Sequence, residues 1–291
     1  MKIKPQSCIY ILNENPLYHA MYSVSIRSLR KHNPDIPVTL LYVYDSNQDS
    51  WSPSNGLFKD IPPYFTQNFM YFKQEEVLKI SKDLNVDIVP IHGLPYKSQN
   101  YVSIQRCLFS DMDFEDVLLL DVDTFFLRPI QFLFDKYKNF DFVACPFVAY
   151  DAEKNVMVKQ SMRFIYNKNN TIEKQFLLPY NSGVVLWKGN LLQQYGKKVL
   201  NYCNDILYKK HPMADMIYSL RDDVRNREEM ACNLFILEHD VNHGFFDPDD
   251  VAIVEHRESS ALIHSTSVYF PPLFTTLAMN NKLVLNFHQN T

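Results

Sequence analysis

The chain has 291 residues, 46% of them hydrophobic and 21% charged, with a formal net charge of −4 and a pI near 6.1. That is the composition of a soluble globular protein with one large α/β core and appendages, and it excludes a charge-driven nucleic-acid binder because no basic run or excess exists to meet phosphates. No segment approaches the length of a membrane span, and the run from Met1 to Gln6 leads into a strand-like stretch without the apolar core of a signal peptide. The five cysteines, Cys8, Cys107, Cys145, Cys203 and Cys232, are scattered, odd in number and without zinc spacing, which fits reduced thiols and a cytoplasmic setting.

In chain order, Ile9 to Leu12 reads as a buried strand closed by the polar turn Asn13-Glu14-Asn15-Pro16. Met21, Val24, Ile26 and Leu29 recur at helical spacing between Leu17 and Lys31, and Pro34 ends the pattern. Val38 to Tyr44 is a second strand, so a βαβ unit opens the chain and a parallel sheet is expected. Residues Asp45 to Tyr64 are turn-rich. A helix over Gln74 to Leu84, a strand over Val86 to Ile91 and a helix from about Tyr101 to Ser110 then lead to a strand over Val117 to Leu120.

After that strand the regular alternation fades. Phe140 to Cys145 is another strand, and Ala149 to Leu178 shows no clear period. A small-residue turn, Asn181-Ser182-Gly183, enters a strand running to Trp187. Leu192, Tyr195, Val199, Cys203 and Ile206 mark one face of a helix over Leu191 to Leu207. A helix over Arg227 to Glu238 and short strands at Val251 to Val254 and Leu262-Ile263 follow. Nothing repeats and no linker divides the chain. The expected organisation is one domain over 1–270 with an insertion at about 150–180, and a C-terminal extension over 271–291.

The chemistry concentrates at Asp121-Val122-Asp123, directly after the four apolar residues Val117-Leu118-Leu119-Leu120. Because side chains alternate across a strand, both carboxylates are expected to point to one side and Val122 to the other. Two like charges side by side cost free energy unless a cation bridges them, and oxygen donors suit Mg2+ or Mn2+. A polar cap on a buried strand accounts for the same residues. The six glycines form neither GxGxxG nor a P-loop. Asp-x-Asp after a strand is also similar to the nucleophile motif of haloacid dehalogenase-type phosphatases, but Phe125 stands where that motif has Thr or Val.

Four stretches taken together, Asp121-Val122-Asp123, Asn181-Ser182-Gly183-Val184, Arg227-Glu228-Glu229 and His264, occur in an order and at separations that resemble the GT-A glycosyltransferases. Within them the set is similar to glycosyltransferase family 8, the glycogenin and bacterial galactosyltransferase type. The resemblance spans about Ile9 to His264 and implies a GT-A fold, an α/β architecture with a single Rossmann-like mixed sheet flanked by helices. It also implies transfer of a sugar from a nucleotide-sugar donor, a UDP-sugar foremost, to a hydroxyl of a glycan or other acceptor with retention. A non-catalytic sugar-nucleotide or glycan-binding module on the same fold is the alternative, and an Asp-nucleophile phosphatase a more distant one.

By the same resemblance, Asp121, Asp123 and His264 hold Mn2+ (or Mg2+) against the donor diphosphate, and the imidazole shifts preference towards Mn2+. Ile11, Asn13 and Tyr18 lie where the family grips the nucleoside, Arg106 near where it places a cation over the donor, and Val122 and Gly183 beside the bound nucleotide sugar. Asn181 offers an amide to sugar hydroxyls or to the acceptor, and Glu228 and Glu229 fall where the family holds the sugar near its anomeric carbon. In inverting GT-A enzymes a carboxylate in this region is instead the general base, and at a helix start acids are also favoured by the dipole. The family follows its histidine with glycine and Lys-Pro-Trp; here Ser265-Thr266-Ser267-Val268 follows His264. In the insertion, Arg163, Lys174, Phe176 and Tyr180 are candidates to line the acceptor side.

Overall fold

In the computed structural model of the protein, the residues described are 6–13, 16–44, 73–92, 112, 115–146, 148–151, 156–159, 166–168, 171–173, 180–208, 210, 227–253 and 260–265. The chain begins with β1 (Ser7–Leu12), α1 (Pro16–His32) and β2 (Val38–Val43), followed by α2 (Gln74–Asp83), β3 (Asp87–Ile91) and β4 (Asp116–Leu120). β5 (Thr124–Phe126), α3 (Gln131–Lys136) and β6 (Phe142–Pro146) come next. The stretch expected to lack period holds four short strands, β7 (Val148–Asp151), β8 (Val156–Lys159), β9 (Tyr166–Lys168) and β10 (Thr171–Glu173). β11 (Tyr180–Lys188), α4 (Gly189–Leu207), α5 (Arg227–Glu238), β12 (His243–Phe245), β13 (Val251–Ile253) and β14 (Leu262–His264) are the remaining elements among the described residues.

Seven strands form one mixed sheet in the order β12-β6-β11-β4-β1-β2-β3. β3, β2, β1 and β4 are parallel, while β11 runs against both β4 and β6. The expected mixed sheet flanked by helices is present, joined by a three-stranded sheet β13-β14-β5 and two hairpins, β7 with β8 and β9 with β10. The alternation along β1 and β4 explains why their sequences read as unbroken apolar runs. Cys8, Tyr10, Leu118 and Leu120 pack on the face covered by α1 and the small sheet. Ile9, Val117 and Leu119 pack on the opposite face with Trp187, Tyr195 and Phe235, from β11, α4 and α5. Trp187 stacks on Tyr195 at 5.3 Å and meets the edge of Phe142 at 4.7 Å, which makes that side an aromatic core.

The connection order has one consequence for function. From β1 the chain proceeds through β2 to β3 on one side, then returns to place β4 on the other side of β1. In an open parallel sheet that reversal leaves a crevice beyond the carboxyl ends of the two central strands, and ligands bind there. Leu12-Asn13 and Leu120-Asp121 are those ends. Because β11 is antiparallel, its first residues, Tyr180 to Gly183, lie along the same edge.

Three sequence expectations need correction. Asp121 to Asp123 do not prolong β4: the strand ends at Leu120 and the three residues form a bend that hands the chain to β5 in the small sheet. Residues 149–178 include paired strands, each only three or four residues long and therefore too short to show a period. Tyr180, a candidate for the acceptor side, is buried against the edge of Phe142. The helix expected over Tyr101 to Ser110, with Arg106, lies outside the described residues, as do Arg163, Lys174, Phe176 and 271–291. Cys8, Cys145 and Cys232 are buried, and burial pushes the Cys8 thiol up to about 12. No helix among the described residues is long and apolar enough to cross a membrane.

Candidate metal centre

The bend carrying the acidic pair is held at both ends by its neighbours. The Asp121 amide donates to the Gly183 carbonyl at 2.7 Å, continuing the β4–β11 ladder by one residue. The Asp121 carbonyl accepts from Thr124 Oγ1 at 3.0 Å, which closes the turn locally. Thr124 Oγ1 lies 2.6 Å from Ser25 Oγ on α1, and Ser25 Oγ lies 2.7 Å from Tyr10 Oη, so a buried line of hydroxyls runs from β1 to the bend. At the other end, Ser265 donates to the Asp123 carbonyl through its amide at 3.0 Å and its hydroxyl at 2.8 Å. Beyond the bend, Ser28 Oγ receives the Phe126 amide and Asn33 Oδ1 the Ile130 amide, so α1 grips the whole segment from behind.

β14 pairs antiparallel with β5 and sets His264 opposite Thr124, one residue past the acidic pair. His264 Nε2 is 3.1 Å from Asp123 Oδ1 and 3.7 Å from Asp121 Oδ2. One donor atom from each of the three residues lies within 4.8 Å of the others. His264 and Asp123 are almost wholly buried, whereas the Asp121 side chain is 43% exposed and opens the cluster on one side. The donor set fits a divalent cation. Adjacent ligands at about 2.1 Å from an octahedral ion stand about 3 Å apart, and both nitrogen-to-oxygen separations can be spanned by one ion. Two carboxylates with one imidazole and an open side are the chemistry of a site that shares its ion with a substrate.

Gly183 faces this cluster directly. A Cβ on it would lie 2.0 Å from His264 Cε1, 2.3 Å from Nε2 and 2.4 Å from Nδ1. The turn expected over Asn181-Ser182-Gly183 is instead the opening of β11, and there the Gly183 amide donates to Asn181 Oδ1 at 3.0 Å, so the Asn181 side chain shapes the start of the strand. The pairing of β11 with β6 slips between Asn181 and Val185, an irregularity of the strand beside the acidic bend, to which Gly183 is joined through the Asp121 amide.

Tyr18, in the first turns of α1, is partly buried. Burial, then the nearby carboxylates of Asp123 and Asp121, hold its phenol well above the ordinary tyrosine range. It is a neutral hydroxyl beside the acidic pair. Asn13 is buried at the end of β1, where its carbonyl lies 2.9 Å from His19 Nε2. The Tyr42 hydroxyl meets the same nitrogen at 3.0 Å, and Tyr42, Tyr44 and His92 form an aromatic row along the ends of β2 and β3. Ile11 is partly buried on the opposite face of the sheet, with the core of α4 and α5.

No family model and no curated protein matches this sequence. Solved structures similar to it include the Streptococcus pneumoniae glycosyltransferase GlyE, at 11% identity and a TM-score of 0.45, covering 84% of this chain and 46% of that one. The chain thus spans about half the length of the GlyE chain. Mouse xyloside xylosyltransferase 1 is similar at 11% identity and a TM-score of 0.45, with 91% of this chain and 99% of that one covered. So is the galactosyltransferase LgtC in complex with donor and acceptor sugar analogs, at 11% identity and 0.45, with 98% and 97% covered.

Of the residues singled out from sequence, Asp121, Asp123 and His264 meet, Gly183 lies against the His264 ring with its amide held by Asn181, Tyr18 is near the two carboxylates, and Asn13 closes β1. Val122 is buried in the core of the α1 face. Glu228 and Glu229 are in the first turn of α5, and their side chains lie outside those described, as does Arg106. The sequence reading missed Ser25, Thr124 and Ser265. The last two carry a signal, since each is a hydroxyl residue directly following Asp123 or His264; Ser25 carries none, because mid-helix serines are ordinary.

Proposed function

We propose that the protein is a metal-dependent GT-A glycosyltransferase that moves a sugar from a nucleotide donor, foremost a UDP-sugar, to a hydroxyl of a glycan or other acceptor, with retention. The observation that carries this reading is the convergence of Asp121, Asp123 and His264 from two different sheets at the crevice where the strand order reverses. A divalent ion held there supplies the positive charge that turns a nucleoside diphosphate into an adequate leaving group.

The chain's own residues have the following parts. Asp123 and His264, buried, fix the inner side of the ion site, and Asp121 faces the donor. Asn13 and Tyr18, at the start of the first βα connection, sit where a nucleoside enters. Tyr18 offers a neutral hydroxyl as donor, or its ring as a stacking face. The Asn181 amide carbonyl is occupied by the Gly183 amide, so its amide nitrogen is the group that donates to a sugar hydroxyl. Glu228 and Glu229 are the carboxylates proposed to meet the sugar near the anomeric carbon, and Arg106 the cation over the donor.

Thermal denaturation with a panel of nucleotide sugars and Mn2+ tests the donor assignment, because a ligand that binds only the folded state raises the melting temperature. Stabilisation by a UDP-sugar that needs Mn2+ supports the reading. Equal stabilisation in EDTA, or none by any nucleotide, contradicts it.

A further inference from the structure

Glycine is usually required where the backbone takes a positive φ, but Gly183 has no such φ, whereas Gln6, Asn85 and Asp240 do. Its φ is therefore not what demands a glycine. What excludes a side chain is the His264 ring, three atoms of which lie within 2.4 Å of the position a Cβ would take. Both backbone polar groups of Gly183 are also engaged, the amide by Asn181 Oδ1 at 3.0 Å and the carbonyl by the Asp121 amide at 2.7 Å. The glycine therefore cannot move aside without disturbing the acidic bend.

From this contact we infer that Gly183 is a positioning residue: it is the seat that holds the His264 imidazole against Asp123 and Asp121, and Asn181 sets the height of the seat. The inference rests on the reading of the three residues as a metal centre. Its physical content is steric. The ring is buried and enclosed by Gly183 on one side and by the Asp123 carboxylate, 3.1 Å from Nε2, on another. A methyl at position 183 forces the ring out of that slot, and the nitrogen that faces the carboxylates leaves with it. Supporting groups of this kind change metal affinity by about 10–100-fold when altered, without touching the ion themselves.

A double-mutant cycle over Gly183→Ala and His264→Ala tests the seat, reading melting temperature and Mn2+ affinity by titration calorimetry with no donor present. Gly183→Ala alone is expected to lower the melting temperature and to weaken Mn2+ binding by about 10–100-fold. In the His264→Ala background the same substitution is expected to cost little stability and to weaken Mn2+ no further, because the clashing ring is gone. Asn181→Ala should weaken Mn2+ binding to a smaller degree at nearly unchanged melting temperature. Wild-type Mn2+ affinity in Gly183→Ala, or an equal loss of melting temperature in both backgrounds, overturns the seat. If wild type takes up no Mn2+, the metal reading fails by itself, and the melting-temperature cycle still decides the contact. If Gly183→Ala does not fold, folding of the double variant supports the seat and failure of both overturns it.

Discussion

Asp123 Oδ1 lies 3.1 Å from His264 Nε2, and the residue after each is tied to the other segment: Thr124 pairs with His264 across the small sheet, and Ser265 bonds the Asp123 carbonyl. The pair is fixed by backbone geometry, so its removal should act on the ion rather than on the fold. Asp123→Asn keeps the shape, halves the charge of the acidic pair and should weaken Mn2+ binding by at least an order of magnitude, about 1.4 kcal/mol or more. Calorimetric titration with Mn2+, beside a denaturation curve showing a retained fold, checks it.

The hydroxyl line Tyr10–Ser25–Thr124 is a structural support for the bend. Thr124→Val is nearly isosteric but removes the donor to the Asp121 carbonyl and the partner of Ser25. The cost should be about 1–3 kcal/mol of unfolding free energy. Ser25→Ala breaks the same line from the other side, so the double variant should lose less than the sum of the two. Urea denaturation of the four proteins measures this.

Arg30 joins the end of α1 to the end of α2. Its guanidinium donates to the carbonyls of Leu84 at 2.7 Å, Ile36 at 2.6 Å and Asn85 at 2.9 Å. Arg30→Met should cost about 2–3 kcal/mol, because acceptors from two helix termini lose one shared donor. Arg30→Lys should recover only part of this, since an ammonium cannot span the same fork. Denaturant midpoints at constant slope are the readout.

Alkaline pH should destabilise the segment that follows β12. The Asp250 carboxylate accepts from Lys136 at 2.5 Å and from Tyr137 at 2.7 Å. The hydrogen bond to Asp250 raises the Lys136 pKa, and burial first, with Asp250 adding to it, raises that of Tyr137. Both groups therefore keep their protons in the folded protein at pH values where the unfolded chain, with ordinary values near about 10, has begun to release them. The unfolded state then binds fewer protons, and stability falls as pH rises above about 10. The contribution is complete at neutral pH. Tyr137→Phe and Lys136→Met should each flatten the alkaline limb of stability against pH. The Lys136 part should be small, below about 1 kcal/mol, because its side chain is 45% exposed.

The strands and helices that carry long apolar patterns were legible from sequence to within two residues at most ends: α1, β2, α2 and α5 are where periodicity and Pro34 put them. Asp121 and Asp123 were legible as a pair because carboxylates directly after a buried run are chemically conspicuous, whereas His264 joined them only through the resemblance to the GT-A glycosyltransferases, since a lone histidine at a strand end is ordinary. What the sequence could not convey was how the three meet. Strand alternation would have placed the carboxylates together on one ladder, whereas the chain bends there and the convergence comes from a second sheet, where β14 was expected as a short strand but the three-residue β5 beyond the bend, and its pairing with β14, were not. The role of Gly183 was hidden for the same reason, since a glycine in a turn reads as a backbone requirement until the ring beside it is seen.

Release of UDP from a panel of UDP-sugars tests the glycosyltransferase reading most directly, measured for wild type and Asp123→Ala in Mn2+, in EDTA and after Mn2+ is restored. The expected result is turnover of at least one donor by wild type in Mn2+, its loss in EDTA, its return with the metal, and none by a folded Asp123→Ala protein. Undiminished turnover by Asp123→Ala in EDTA would contradict it.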